Sequence, residues 1–185
     1  MIQTVLPLLF VLACHHGNEA LIKYLVENNA IVYKANSLGD TPLNVACRKG
    51  LETIVKYLVE HGASVHEVVH RGGIYITPFL HACSRIGNEP IVNYLVEQGI
   101  RLNWVGDTSL IAACAAGNET IVKYLVEERG ADVDLEMPYL SAPLGTPLTV
   151  ACKFGHETIV NYLVEQGANI HKEVNGFGNP LIGSM

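Results

Sequence analysis

Apolar and polar positions follow one pattern that recurs five times along the chain. Each copy has a short apolar segment ending in Ala-Cys, two or three further residues, a glycine, and a longer amphipathic segment. The longer segments are close variants of one another: NEALIKYLVE, LETIVKYLVE, NEPIVNYLVE, NETIVKYLVE and HETIVNYLVE. Self-similarity at a period of about 20–50 residues indicates an array of supersecondary units. Each unit buries its apolar side against its neighbours.

The second copy shows why each unit is predicted to be a pair of helices. Thr41 is a suitable helix N-cap, and Pro42 suits the first helical position because its missing N–H has no partner there anyway. The apolar segment that follows is predicted to end at Gly50, where a left-handed residue terminates a helix. Residues 51–61 then carry apolar side chains at helical spacing, which are predicted to face the neighbouring units: Ile54, Val55, Leu58 and Val59.

The second helix of each unit also has a predicted end and a predicted polar face. It is expected to stop at a residue in the left-handed conformation: Gly62, Gly99, Gly130, Gly167, and Asn29 in the first copy. On the polar face, Glu52, Lys56 and Glu60 lie four residues apart, which predicts weakly stabilising ion pairs. The same Glu-Lys-Glu spacing recurs in the first and fourth copies, at Glu19 and at Glu119.

The unit resembles the ankyrin repeat in its Thr-Pro-Leu opening, its central glycine, its Ile-Val-x-x-Leu-Val helix and its closing Gly-Ala. The resemblance covers about residues 8–179 and implies an all-α fold, an ankyrin-repeat solenoid of stacked antiparallel helix pairs with projecting hairpin or finger loops. We expect a single array over residues 1–185, with repeats at about 5–33, 34–69, 70–102, 103–138 and 139–174. Residues 175–185 are expected to be the start of a truncated sixth repeat or a capping tail, which can alternatively fold back over Val160 and Leu163.

The first repeat departs from the pattern, since it has Leu8-Leu9 where others have Thr-Pro, and its start is therefore expected to be poorly capped. Its apolar run ends in Cys14 and resembles a short secretory or lipoprotein signal. However, the first thirteen residues contain no Lys or Arg, and the run aligns without a gap on the other inner segments. A first inner helix is therefore favoured over a signal. The run is also too short, and interrupted by Pro7, to span a bilayer.

Charge and cysteine usage narrow the class of protein. A formal net charge of −6 argues against a nucleic-acid or anionic-membrane partner. All five cysteines occupy the same repeat position, so neighbours lie one repeat apart. Packed helices are about 8–10 Å apart, whereas a disulfide needs Cα atoms within about 7 Å. Buried reduced thiols are predicted, which favours a cytoplasmic location, with a nuclear one possible on the same grounds.

The resemblance also implies where a partner protein binds, namely at the finger tips and the exposed edge of the inner helices, a concave surface. By position that surface holds His15, His16, Leu38, Asp40, Arg48, Lys49, Ile74, Tyr75, Arg85, Trp104, Asp107, Tyr139, Leu140, Lys153 and Phe154. Aromatic and apolar side chains with scattered Arg and Lys are typical of interface hot spots. The alternative is that Trp104, Ile74, Tyr139 and Leu140 fold back to seal irregular fingers. For the cluster as a whole, a binding face is favoured.

Residues able to support catalysis or metal binding were sought and none is favoured. His66 and His70, together with His61 or Cys83, have a spacing that zinc ligands use, but solvated histidines in a finger are the better interpretation. The sequence contains no Ser-His-Asp order, no P-loop and no dinucleotide-binding fingerprint. Asn103 lies where some ankyrin-repeat proteins carry a hydroxylated asparagine, although its finger is short and atypical. No catalytic residue, cofactor or metal site is therefore predicted.

These inferences predict a non-enzymatic scaffold that binds a partner protein of unknown identity. The alternative is a targeting or regulatory segment of a larger enzyme or channel whose active part lies outside this chain. Because repeat arrays normally need polar terminal units, and the first inner helix is almost entirely apolar, end-to-end self-association through the terminal repeats is a further expectation.

Overall fold

The computed structural model describes residues 2–37, 39–71, 74–100, 108–135 and 145–172, and within these ranges the chain forms helix pairs and one short hairpin. We call the first helix of each pair inner and the second outer. The inner helices are α1 (Ile2–His16), α3 (Pro42–Lys49), α5 (Pro78–Cys83), α7 (Thr108–Ala116) and α9 (Pro147–Phe154). The outer helices are α2 (Glu19–Glu27), α4 (Glu52–Glu60), α6 (Glu89–Glu97), α8 (Glu119–Glu127) and α10 (Glu157–Glu165).

The chain divides into two compact units, Met1–Ala82 with Gly87–Ile100, and Cys83–Ile86 with Arg101–Met185. In the first unit, α3 packs against both α1 and α4, and α4 packs against α6. In the second unit, α9 packs against α7 and α10, and α8 packs against the same two helices. The predicted helix pairs are therefore confirmed, whereas a single array over residues 1–185 stays a prediction.

Inner helices begin and end as the sequence predicts. The Thr41 hydroxyl oxygen accepts a hydrogen bond of 3.2 Å from the Asn44 N–H, and Pro42 occupies the first turn. At the other end Gly50 has φ 74°, a left-handed conformation in which its N–H reaches back to the last turn. Thr146 caps α9 in the same way. These local signals fix the ends of the helices because they satisfy main-chain groups that the helix leaves unpaired.

Outer helices also end as predicted, with one difference in what they bury. Asn29 has φ 61°, and the glycines predicted to end the other outer helices have positive φ as well: Gly62, Gly99, Gly130 and Gly167. Ile54, Val55 and Leu58 are buried as expected. Val59 is half-buried, so it is less completely enclosed than the other three. It lies at the edge of the apolar face of the helix, next to the polar face that meets solvent.

The first inner helix is longer than expected. It extends from Ile2 to His16 and contains Pro7 in its interior, so Pro7 does not interrupt the helix as the sequence suggested. A proline inside a helix removes one main-chain hydrogen bond, and α1 continues on both sides of it. Cys14 is fully buried in this helix, as the alignment with the other repeats predicts.

The core lies between inner and outer helices and consists mainly of small and aliphatic side chains. In α3, Leu43, Val45, Ala46 and Cys47 are all almost fully buried, and in α9 so are Leu148, Val150 and Ala151. All five cysteines are free thiols. Four are buried as predicted, but Cys152 is half-buried. Asn44 is the exception in this core, since it is buried and its amide finds no partner among the described residues.

One finger between repeats is visible as a hairpin. Strand β1 (Val69–Arg71) pairs antiparallel with β2 (Ile74–Ile76), with Val69 opposite Ile76 and Arg71 opposite Ile74. This hairpin joins the second outer helix to the third inner helix. The predicted hairpin finger is therefore confirmed at this connection.

Candidate functional site

The charged residues of the inner helices share one sign. Across the described inner helices there is no Asp or Glu, and the basic residues lie in the last turn: His15, His16, Arg48, Lys49, His81 and Lys153. Basic side chains at helix C-termini are stabilised by the partial negative charge of the unpaired carbonyl groups. The described outer helices are instead acidic at both ends, since each begins and ends with Glu.

In the first unit, four of these residues lie at the adjoining C-terminal ends of α1 and α3. We call His15, His16, Arg48 and Lys49 the basic edge. His15 and His16 are exposed, with their ring centroids 5.3 Å apart. Arg48 and Lys49 are half-exposed. The helices that present them pack against each other, so local helix ends from two repeats form one surface.

Within the described part of the chain, one carboxylate, that of Asp40, acts on this edge. Arg48 Nη1 lies 3.7 Å from Asp40 Oδ1. The loop that holds Asp40 is a tight turn, in which the Asp40 N–H donates to Asn36 Oδ1 at 3.0 Å and its carbonyl accepts from the Asn36 N–H at 2.9 Å. Asp40 is therefore fixed beside Arg48, where it neutralises part of the edge's charge.

Two histidines near the edge have a lowered pKa, through burial and through the neighbouring positive charges. The positive charge of Lys49 lowers the pKa of His15, with desolvation, His16 and Arg48 acting in the same direction and Asp40 opposing them. For His81, on the adjoining α5, burial lowers the pKa to about 4, the charge of Arg48 adds to the effect, and Asp40 again opposes it. His81 was not among the sequence-predicted surface residues, because its position in the other repeats is apolar.

In the second unit the sequence-predicted residues Arg85, Lys153 and Phe154 are exposed. Lys153 Nζ lies 5.8 Å from the centroid of the Phe154 ring, and that ring is 50% exposed and stacks on His156 at 6.4 Å. Cation–π contacts of this kind hold an exposed aromatic side chain in place. An exposed, positioned phenyl ring beside a cation is suited to contact with another protein.

Two further sequence-predicted residues, Ile74 and Tyr75, lie on β2. The other positions lie outside the described residues: Leu38, Trp104, Asp107, Tyr139, Leu140 and the candidate modification site Asn103.

Successive repeats are joined by side chains that the sequence analysis did not single out. The Asn88 amide donates to the Cys47 carbonyl of the preceding repeat at 2.9 Å and to the Ala82 carbonyl of its own repeat at 3.2 Å. Asn118 donates to the Arg85 carbonyl at 3.1 Å, and His156 Nε2 lies 3.3 Å from the Ala115 carbonyl. All three residues directly follow the central glycine, so this shared position is the signal that would have revealed them.

The outer helices carry a second set of contacts between repeats. Lys56 Nζ and Glu52 Oε1 form the predicted ion pair at 2.7 Å. Glu19 instead accepts from the Thr53 hydroxyl of the next repeat at 2.7 Å, and Glu119 accepts from Thr158 in the equivalent way. Open clefts of about 310 Å³ and about 280 Å³ follow these contacts between α2 and α4 and between α8 and α10. They recur with the repeat and therefore reflect its packing.

Metal binding and membrane insertion were also considered for the described part of the chain. Within it, no three His, Cys, Asp or Glu side chains are grouped so as to hold a metal ion. Of the helices in those same ranges, none has both the length and the apolar character needed to cross a membrane.

Comparison with known families decides what this arrangement of helix pairs is. A family model described as ankyrin repeats in three copies matches residues 6–69 and 71–137, and a model of the single ankyrin repeat matches residues 145–175. The chain belongs to the ankyrin-repeat family. The predicted fold class, all-α ankyrin repeats, is thereby confirmed.

Among solved structures, this ankyrin-repeat chain is similar to the ankyrin repeat domain of human ASB11. The two are 27% identical with a TM-score of 0.78, over 95% of this chain and 76% of that one. A search of curated proteins gave no significant match. Ankyrin repeats are in general protein–protein interaction modules and typically non-catalytic, so the exposed ends of the inner helices are candidates for protein contact.

Proposed function

We propose that this chain is a non-enzymatic scaffold that binds a partner protein through its inner-helix ends and adjacent fingers. The surface comprises the positions named in the sequence analysis, including those outside the described residues. In the first unit it is centred on the basic edge, and in the second on Lys153 and Phe154.

The observation that carries this proposal is the contrast between the buried and exposed parts of the inner helices. The Ala-Cys pair is the same in every repeat, and it is buried apart from the half-buried Cys152. The residues that follow it differ in every repeat and are exposed or half-exposed: His15-His16, Arg48-Lys49, Ser84-Arg85-Ile86, Ala115-Ala116 and Lys153-Phe154. Packing accounts for the repeated residues, whereas solvent-facing residues on a rigid scaffold are free to differ and to recognise a partner.

We also propose a cytoplasmic or nuclear location. All five cysteines are free thiols, and free thiols without disulfides are typical of a reducing compartment.

Self-association is a further part of the proposal, supported by the outer side of α1. Leu8 and Leu12 are 46% and 44% exposed. Their equivalents in the second repeat, Thr41 and Val45, are completely buried. In the second unit, Val164 of α10 is 42% exposed. Apolar side chains left exposed in this way provide a surface for a second copy of the chain.

Site-specific photo-cross-linking in a lysate of the source cells tests the proposed surface. A photoreactive phenylalanine analogue replaces Lys49 or Phe154, and the control replaces Tyr24, an exposed residue of α2. The proposal expects the same partner to be cross-linked from Lys49 or Phe154 and not from Tyr24. Adducts from Tyr24 alone would place the partner on the outer helices and reject the proposed surface.

A further inference from the structure

The basic edge is an exception on an acidic chain. The chain carries a formal net charge of −6. In the first unit the carboxylates lie mainly on the outer helices, at the first and last residues of α2, α4 and α6. On α1 and α3 no acidic residue is present, and the charged side chains gather in the last turn. Within these helices the carboxylates are thus confined to the outer ones, of which α2 and α4 also carry Lys23 and Lys56.

Among the described residues, those near the edge neutralise its charge only in part. Asp40 lies near Arg48 but only at 3.7 Å, and Lys49 acts on His15 as an unfavourable like charge. Partial exposure leaves the Arg48 guanidinium, the Lys49 ammonium and both imidazole rings accessible from solvent. Together they offer several hydrogen-bond donors of positive charge across the ends of two adjacent helices, which is an arrangement that carboxylates complement.

We propose that the basic edge binds an acidic segment of the partner protein, a stretch of Asp and Glu side chains lying across the ends of α1 and α3. This inference rests on the proposed function and specifies the chemical class of the partner. An acidic peptide is favoured over nucleic acid because the edge is small and the nearby outer helices carry several Glu residues. A nucleic acid requires a longer track of positive charge for its phosphates.

The proposal includes a dependence on pH that follows from the geometry. Since its neighbours lower the pKa of His15, this side chain is more often neutral at neutral pH than an isolated histidine. Protonation as the pH falls adds positive charge to the edge, and a bound carboxylate stabilises that charge. The half-buried His81 stays neutral over the same range because its pKa is about 4. The titratable and charged groups that face His15 are His16, Asp40, Arg48 and Lys49.

Fluorescence anisotropy with the whole chain and a fluorescein-labelled oligoglutamate peptide tests the inference. We expect binding that tightens from about pH 7.5 to about pH 6, where histidine becomes charged while Glu remains ionised. Lys49→Gln is expected to weaken binding roughly two- to five-fold, as is usual for the loss of one exposed ion pair. His15→Gln is expected to reduce the pH dependence. Lys23→Gln, which removes the same charge from exposed α2, serves as the control and is expected to leave binding unchanged.

Three outcomes would overturn the inference. Equal binding of oligoglutamate to the wild type and Lys49→Gln would show that the edge does not hold the peptide. Tighter binding of a single-stranded oligonucleotide that is lost in Lys49→Gln would assign the edge to nucleic acid instead. If oligoglutamate fails to bind while a protein is still cross-linked from Lys49, the proposed function stands and only the acidic class of partner is rejected.

Discussion

The side-chain amide of Asn88 donates a hydrogen bond of 2.9 Å to the main-chain carbonyl of Cys47 in the preceding repeat. Asn88 is 1% exposed, so this bond lies in the core between two helix pairs. The last carbonyls of an inner helix have no partner within that helix. The Gly50 N–H donates to the Cys47 carbonyl at 3.2 Å, and Asn88 adds a second donor from the next repeat. Stacking of these repeats therefore includes a polar contact as well as apolar burial.

Asn88→Ala is expected to lower the free energy of unfolding by about 1–3 kcal/mol, because it removes two buried hydrogen bonds, to the Cys47 and Ala82 carbonyls. Urea denaturation followed by circular dichroism measures the change. Asn93→Ala, at an exposed position of α6, is the control and should have little effect. Asn88→His should retain more stability than Asn88→Ala, since His156 occupies the equivalent position in the last repeat. Equal stability of Asn88→Ala and the wild type would contradict the role given to this bond.

His81 is expected to make the stability of the chain depend on pH. Burial lowers its pKa from 6.5 to about 4, so as the pH falls below 6.5 the unfolded chain takes up a proton that the folded chain does not. Stability is complete above pH 6.5 and decreases by up to about 3 kcal/mol on approach to pH 4. His81→Val, which places at this position the residue of α3 and α9, should flatten this part of the profile. An unchanged slope in the variant would show that other groups cause the pH dependence.

Cys152 should react faster with a thiol reagent than the other four cysteines, because it is only half-buried. Burial raises the pKa of Cys14 and Cys114 to about 12 and raises that of Cys47 as well, so these thiols are both shielded and protonated. Titration of the folded chain with DTNB should show one rapidly reacting thiol, and all five should react after unfolding. The rapid phase should disappear in Cys152→Ala. Rapid reaction of several thiols in the native chain would be inconsistent with the packing described.

The exposed leucines of α1 provide a test of self-association. If a second copy covers them, the wild type should sediment as a concentration-dependent mixture of monomer and larger species, and Leu12→Glu should sediment as a monomer. Ile86→Glu, a matched change at an exposed apolar residue of the second unit, should behave as the wild type. A wild-type monomer at all concentrations would exclude association through this face.

Much of the fold could be predicted from local signals. Thr41, Pro42 and Gly50 define an inner helix by the main-chain groups they satisfy, and Asn29 ends an outer helix in the conformation expected of it. Such signals act within a few residues, so a single sequence displays them. The prediction that Pro7 interrupts the first helix was wrong, because one lost hydrogen bond does not outweigh a continuous helix around it.

The site was less predictable because its contacts join residues far apart in the chain. His15 and Lys49 influence each other across more than thirty residues, and the local pattern at either helix end indicates only an exposed basic residue. The contact between Asn88 and Cys47 spans a similar separation. The positions that follow Ala-Cys and the central glycine were visible in the repeat, but their roles depend on how one helix pair meets the next.

Hydrogen–deuterium exchange of the chain with and without the captured partner is the most direct test of the proposed binding surface. The account predicts that binding slows exchange at the C-terminal ends of α1 and α3, around Cys14–Gly17 and Cys47–Gly50, and leaves the solvent-facing side of α2 and α4 unchanged. Slower exchange confined to α2 and α4, with both inner-helix ends unaffected, would contradict it.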